Sequence, residues 1–198
     1  MTTVLRKPLF ALCSALLVVA MSAPAASAAT YTIDPNHSSA MFKIRHFGAS
    51  NVYGAFWDVS GTVVYDPEKP ETSSINISIA VESLDTNNER RDGHIKSPDF
   101  LDAKQFPVLT FESTAVKDAG DGEFHVTGNF TLHGVTRVIT VPATLVGAVP
   151  NPRSGTNMLG FETRFTIDRT EHDMAFMAGP LGTEVEIVVS FESSEAEE

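Results

Sequence analysis

The sequence predicts an all-β fold of roughly eight antiparallel strands in series with one short helical insert. Period-two alternation of apolar and polar residues dominates the chain, it lapses once, from Asn87 to Gln105, and no helix-length segments alternate with the strands as a parallel sheet would require. With 198 residues, 42% of them apolar, the chain is long enough for one domain with a sizeable core. Consecutive antiparallel strands with a single insert fit either a closed up-and-down barrel or a sandwich.

The first segment lies outside that pattern. Arg6 and Lys7 precede an apolar run from Leu9 to Met21, and small residues follow to Ala26, Ser27 and Ala28. This is the layout of a secretory signal peptide spanning residues 1–28, with an apolar run well short of the ~20 residues that span a bilayer. Its removal would take away Cys13, the sole cysteine. The expected product is a soluble periplasmic or secreted protein without disulfides, thiol nucleophile or thiolate metal ligand. No stable membrane insertion is expected.

Along the remainder, the first strands fit Ala40 to His46 and Tyr53 to Tyr65, where apolar residues recur at every second position. Asp66-Pro67 supplies turn chemistry, and Ile75, Ile77, Ile79 and Val81 then alternate with Ser74, Asn76, Ser78 and Ala80. In the interruption, Ser97-Pro98-Asp99 reads as an N-cap with Pro at the first helical position, so one or two short helices are expected there. Strands resume at Val108 to Val116, a turn follows at Asp118–Gly122, and the clearest alternation begins at Phe124 and runs to Leu132. Val135 to Val146, Leu159 to Ile167 and Val185 to Phe191 complete the series. The acidic tail, Ser193 to Glu198, is expected to fray.

The formal net charge of -11 and the lack of any Lys/Arg-rich run argue against nucleic acid as a partner. No G-x-S-x-G elbow, phosphate loop, dinucleotide fingerprint or H-E-x-x-H pair is present, so no catalytic residue is assigned and no enzyme is expected. The six histidines, at positions 37, 46, 94, 125, 133 and 172, lie more than four residues apart from one another, which gives no local metal-ligand spacing and no cofactor assignment. A metal site drawn from distant strands would need His with Asp or Glu.

Ala40, Phe42, Ile44 and His46 share one strand face, which ends an apolar stripe in an imidazole. That imidazole could meet a ligand's polar end or be a satisfied core histidine. His125 and His133 alternate with Thr and Asn and suit an outward, solvated place. Glu89-Arg90-Arg91-Asp92-Gly93-His94 gathers cationic donors beside the insert; these could hold a phosphate, or Arg91 and Asp92 could pair with neighbours and fix the insert to the sheet. Asp168-Arg169 has the same two readings, gate or strut.

Several spaced motifs converge on one family. Tyr31-Thr32-Ile33-Asp34 leading to His37-Ser38, Phe42-Lys43-Ile44-Arg45-His46, and Gly54-Ala55-Phe56 resemble the opening of the YceI-like family of exported polyisoprenoid-binding proteins. Arg91-Asp92-Gly93-His94-Ile95, Ser97-Pro98-Asp99-Phe100, Phe106-Pro107 and Gly128-Asn129-Phe130-Thr131-Leu132-His133-Gly134-Val135-Thr136 are similar to its central motifs. The resemblance runs from about Tyr31 to Phe191. It implies an eight-stranded, lipocalin-like antiparallel barrel over residues 29–192 whose interior takes one long-chain amphiphile: a polyisoprenoid, a quinone-like isoprenoid or a fatty-acyl amide. Phe42, Ile44, Phe56, Phe111, Phe130 and Phe165 are the expected lining, Phe100 is expected near the pocket mouth, and His46, Arg91 and His94 are the expected polar contacts. Where the family has Phe-Gly after Ile167-Asp168-Arg169, this chain has Thr170-Glu171-His172-Asp173, and negative charge near the mouth would favour a neutral head group. A homodimer stays open, as do a lipid-acting enzyme and a ligand-free structural barrel.

Overall fold

The computed structural model describes residues 28–197. The signal-peptide reading therefore falls almost wholly outside the described residues. Ten strands and one α-helix follow in chain order: β1 (Ala29–His46), β2 (Ser50–Phe56), β3 (Val59–Tyr65), β4 (Ser74–Ala80), β5 (Leu84–Asp85), α1 (Glu89–Ile95), β6 (Val108–Gly120), β7 (Glu123–Leu132), β8 (Val135–Pro150), β9 (Asn157–Asp168) and β10 (Leu181–Glu195). Eight of the strands form a closed antiparallel ring, in the order β1, β3, β4, β6, β7, β8, β9, β10, with β10 pairing back onto β1. The fold is a barrel and not a sandwich.

Two-residue loops set much of the ring's register. Asp121-Gly122 joins β6 to β7 and His133-Gly134 joins β7 to β8, with both residues of each pair at positive φ. That is the primed turn whose twist matches the strands it connects.

The second predicted strand is broken. Tyr53 to Tyr65 is interrupted at Trp57 and Asp58, where the Asp58 carbonyl accepts from Ala80 N at 3.0 Å instead of continuing the ladder. The break lets β1 serve two partners: Ala29–Thr32 pairs with β3, and Ala40–His46 pairs with β2. The free side of β2 carries only the two-residue β5, so the barrel wall is incomplete at that end. Helix α1 and the segment after it span this gap.

The helical insert also differs from expectation. It is a single helix capped by Asn88, whose Oδ1 accepts from Arg91 N at 3.0 Å. Ser97 does not open a second helix: its hydroxyl donates to the His94 carbonyl at 2.7 Å and closes α1, and the segment beyond it is turns. The C-terminal end is more ordered than a frayed tail. β10 reaches Glu195, Ser193 is fully buried with its Oγ donating to the Leu159 carbonyl at 3.2 Å, and Ala196 N donates to the Thr30 carbonyl at 2.8 Å.

The core runs the length of the barrel. At the end where β1 starts and β10 finishes, Tyr31, Tyr65, Phe124, Phe161 and Phe191 fill the interior, with Tyr65 packed edge-on against both Phe124 (6.3 Å) and Phe161 (5.9 Å). Burial pushes the phenols of Tyr31 and Tyr65 above their ordinary pKa. The opposite end is hollow.

Candidate functional site

The hollow end encloses a cavity of about 340 Å³. Inward positions of alternating strands build its wall, because each β-strand directs every second side chain to one face. Phe42 and Ile44 come from β1, Phe56 from β2, Phe111 from β6, Phe130 from β7 and Phe165 from β9, and all six line the cavity. Gly54 on β2 leaves the room Phe42 needs, since a Cβ there would sit 2.4 Å from the ring's Cζ. Phe130 meets Phe165 edge-on at 6.1 Å and Phe42 tilts against Phe56 at 5.9 Å, so the wall is held by aromatic contacts around an open centre. Phe161 and Phe191, packed 5.8 Å apart, floor the cavity.

Polar groups gather at the mouth. His46, Arg91, His94 and Phe100 line the cavity where β1 ends and α1 crosses the wall gap, so all ten residues singled out from the sequence border one space. His46 lies against Phe47 at 4.2 Å. His94 Nε2 lies 3.0 Å from Asp99 Oδ2, and the His94, Phe100 and Phe176 rings form an edge-on triad with centroids 5.1–5.7 Å apart.

Arg91 and Asp92 anchor the insert. Arg91 Nε donates to Thr86 Oγ1 at 2.7 Å and Nη2 donates to the Thr86 carbonyl at 2.5 Å, while Asp92 Oδ1 accepts from Thr86 N at 2.9 Å and from its hydroxyl. Thr86 is itself buried, so these bonds form in a site where losing one is costly. Arg91 Nη1 makes no hydrogen bond to the protein among the described residues, and Arg91 lines the cavity.

Arg169 is a strut. Its guanidinium is 2% exposed and donates to the backbone carbonyls of Gly182 (2.9 Å), Met174 and Leu181 (3.5 Å), with the Phe100 ring 5.9 Å away. Burial lowers its pKa, and neighbouring Asp168 opposes that shift. Every polar arm is spent on holding the 174–182 loop over the mouth.

The segment after Arg169 departs from expectation. Glu171 and Asp173 are exposed and do not line the cavity; the Glu171 carbonyl instead accepts two bonds from Arg137. The three-residue alternation inside this tight turn sends His172 inward, where it is 2% exposed and donates from Nδ1 to the Val135 carbonyl at 3.1 Å. The carboxylates of Glu171 and Asp173 therefore face solvent and not the cavity. His133 is half-buried against Phe106 at 4.7 Å, with Nδ1 donating to the His172 carbonyl, and so is not the solvated residue its alternation suggested.

Sequence reasoning missed the rim. Phe47, Phe176 and Met177 are exposed large apolar residues at or beside the mouth, and Phe47 and Met177 both adopt positive φ. Phe47 N donates to the Pro180 carbonyl at 2.7 Å, which ties the β1–β2 turn to the 174–182 loop. The apolar run Met174-Ala175-Phe176-Met177, which belongs to no alternating strand, was the available signal.

Comparison with known proteins fits this architecture. The model of the YceI-like domain matches residues 31–193. Protein YceI of Salmonella arizonae is 40% identical over 169 residues, covering 84% of this chain and 87% of that protein. Among solved structures, Burkholderia cenocepacia BcnA aligns with a TM-score of 0.73 at 26% identity, over 81% of this chain and 98% of that one. The Campylobacter jejuni YCEI protein aligns with a TM-score of 0.69 at 28% identity, over 78% and 91%. A polyisoprenoid-binding domain from Saccharophagus degradans shares the fold at a TM-score of 0.66 and 15% identity, over 84% and 98%. By sequence match across nearly all of its described residues, the chain belongs to the YceI-like family.

Proposed function

We propose that this protein binds one long-chain amphiphilic lipid, tail inside the barrel and head group at the His46, Arg91 and His94 mouth. The observation that carries the reading is the cavity: its volume lies in the range of ligand pockets, its walls are almost wholly apolar, and His46, Arg91 and His94 come together at its mouth. That polarity matches a molecule with one long apolar end and one hydrogen-bonding end. Burying the tail contributes about 25 cal/mol per Å² before the cost of ordering it. The mouth offers mainly donors, so an acceptor-rich head suits it: a quinone or amide carbonyl, or a phosphate. The Saccharophagus degradans domain of the same fold is described as polyisoprenoid-binding, and an isoprenoid tail is our first candidate. Binding and release need no covalent step, so the reading is a carrier or store and not an enzyme, acting in the periplasm or outside the cell after loss of its leader.

Native mass spectrometry of protein purified from its own host, followed by denaturing extraction, tests it. The expected result is one extra mass of a few hundred daltons or more per chain, lost on unfolding. The same spectrum reads whether the chain is a monomer or a homodimer. A clean apo mass that takes up neither isoprenoids nor acyl amides overturns the proposal. Ile44→Asp places a charge in the wall, and the folded variant is expected to lose its load.

A further inference from the structure

At the filled end of the barrel, on its outer wall and away from the cavity, three metal-ligating side chains converge. Asp34 and Glu192 stand directly opposite each other across the β1–β10 pair. Like charges in that position destabilise a sheet unless something positive lies between them. Immediately beyond, β1 bulges: pairing steps from Asp34 and Glu192 to Ser39 and Ser190, so β1 spends more residues than β10 over the same distance. The surplus residues fold back and carry His37 over the two carboxylates.

The resulting geometry is convergent. His37 Nδ1 lies 2.7 Å from Asp34 Oδ2 and 4.0 Å from Glu192 Oε1, and the three ligand atoms all lie within 4.8 Å of one another. Neighbouring vertices of a tetrahedron around a zinc ion are about 3.4 Å apart, so small side-chain rotations suffice. Asp34 is already aimed: its Oδ1 accepts from Asn36 N (2.9 Å) and Asn36 Nδ2 (3.0 Å), which turns Oδ2 toward the shared space.

We propose that Asp34, His37 and Glu192 bind one divalent cation of the zinc class, His37 through Nδ1, with water completing the coordination. One imidazole with two carboxylates selects for zinc-like ions over calcium or magnesium, which prefer all-oxygen sets. The two carboxylates cancel the ion's charge, and the ion removes the repulsion between them. Because the ligands come from the first and last strands, the bound ion clips the seam where the barrel closes. Nothing here depends on what the cavity holds.

Calorimetric titration of the untagged, chelator-treated protein with zinc chloride tests the site. The expected result is one zinc per chain, a raised thermal midpoint, and affinity reduced by roughly tenfold or more in both His37→Gln and Glu192→Gln. His125→Gln, at an exposed histidine on another strand, should bind as the native protein does. Two variants are used so that one which fails to fold leaves the other to decide. Absence of zinc uptake by the native protein, or unchanged affinity in a folded variant of either ligand, overturns the proposal.

Discussion

Phe124 and Phe130 lie on the same strand, on the same face, and are equally buried at 5% exposure, yet they do different things. Phe124 meets Phe161 of β9 in the filled end and, in addition, Tyr65 of β3 from the other side of the ring. Phe130 meets Phe165 of β9 and His172, takes no ring from β3, and borders the cavity. The barrel is thus stabilised at one end and hollow at the other. Ring chemistry is shared between the ends; reach across the interior is what separates them.

That division predicts a gradient of mutational cost. Phe124→Ala should be the most damaging, at about 3–5 kcal/mol, because the filled end cannot collapse around the lost ring; urea unfolding would show it, and a cost below that of a cavity-wall change would break the distinction. Thr86→Val removes the hydroxyl that accepts from Arg91 Nε and donates to Asp92 Oδ1, keeps the backbone bonds of residue 86, and should cost about 1–3 kcal/mol. Hydrogen exchange should quicken selectively from α1 to the start of β6, and uniform quickening would show that the insert is no separate unit. Ile44→Ala, in the cavity wall, should cost only about 1 kcal/mol, since the side chain already borders empty space. Lipid load per folded chain should fall all the same.

The smallest effect belongs to Glu186, which the hydrogen bond from Lys43, aided by Arg164, holds below its ordinary pKa of 4.5. A carboxyl lowered on folding stabilises above its unfolded pKa and loses that contribution as pH falls through the folded value. Glu186→Gln should therefore be slightly less stable than the native protein at neutral pH. The two should converge as acid protonates Glu186, and parallel curves across the acid range would count against the ion pair.

The strands were legible because half-burial writes itself as alternation, as from Phe124 to Leu132. The break at Trp57-Asp58 was not, because the apolar pattern runs through it and only the contact with Ala80 from another strand interrupts the ladder. The ten cavity residues were found through face and family resemblance together, but alternation alone could not say whether an inward Phe fills or lines. Ser97 carried the same capping chemistry as Asn88, and tertiary packing chose between them. The Asp34, His37 and Glu192 cluster was at most half legible, since Asp34 and His37 lie three residues apart but Glu192 comes from the last strand.

The pairing of β1 with β10 also governs when the molecule can become itself. From β3 to β9 the ring strands pair in chain order, β4 with β6 across the helical insert, but the seam must bring together the two ends of the domain, the contact with the highest loop-closure cost. Until β10 arrives, β9 and the first strand each expose an unpaired edge, the state most prone to joining another chain. A protein shortened within its last strand would therefore be not a slightly weaker barrel but an open sheet with two adhesive borders. Its refolding would be a race between closure and aggregation, decided by concentration.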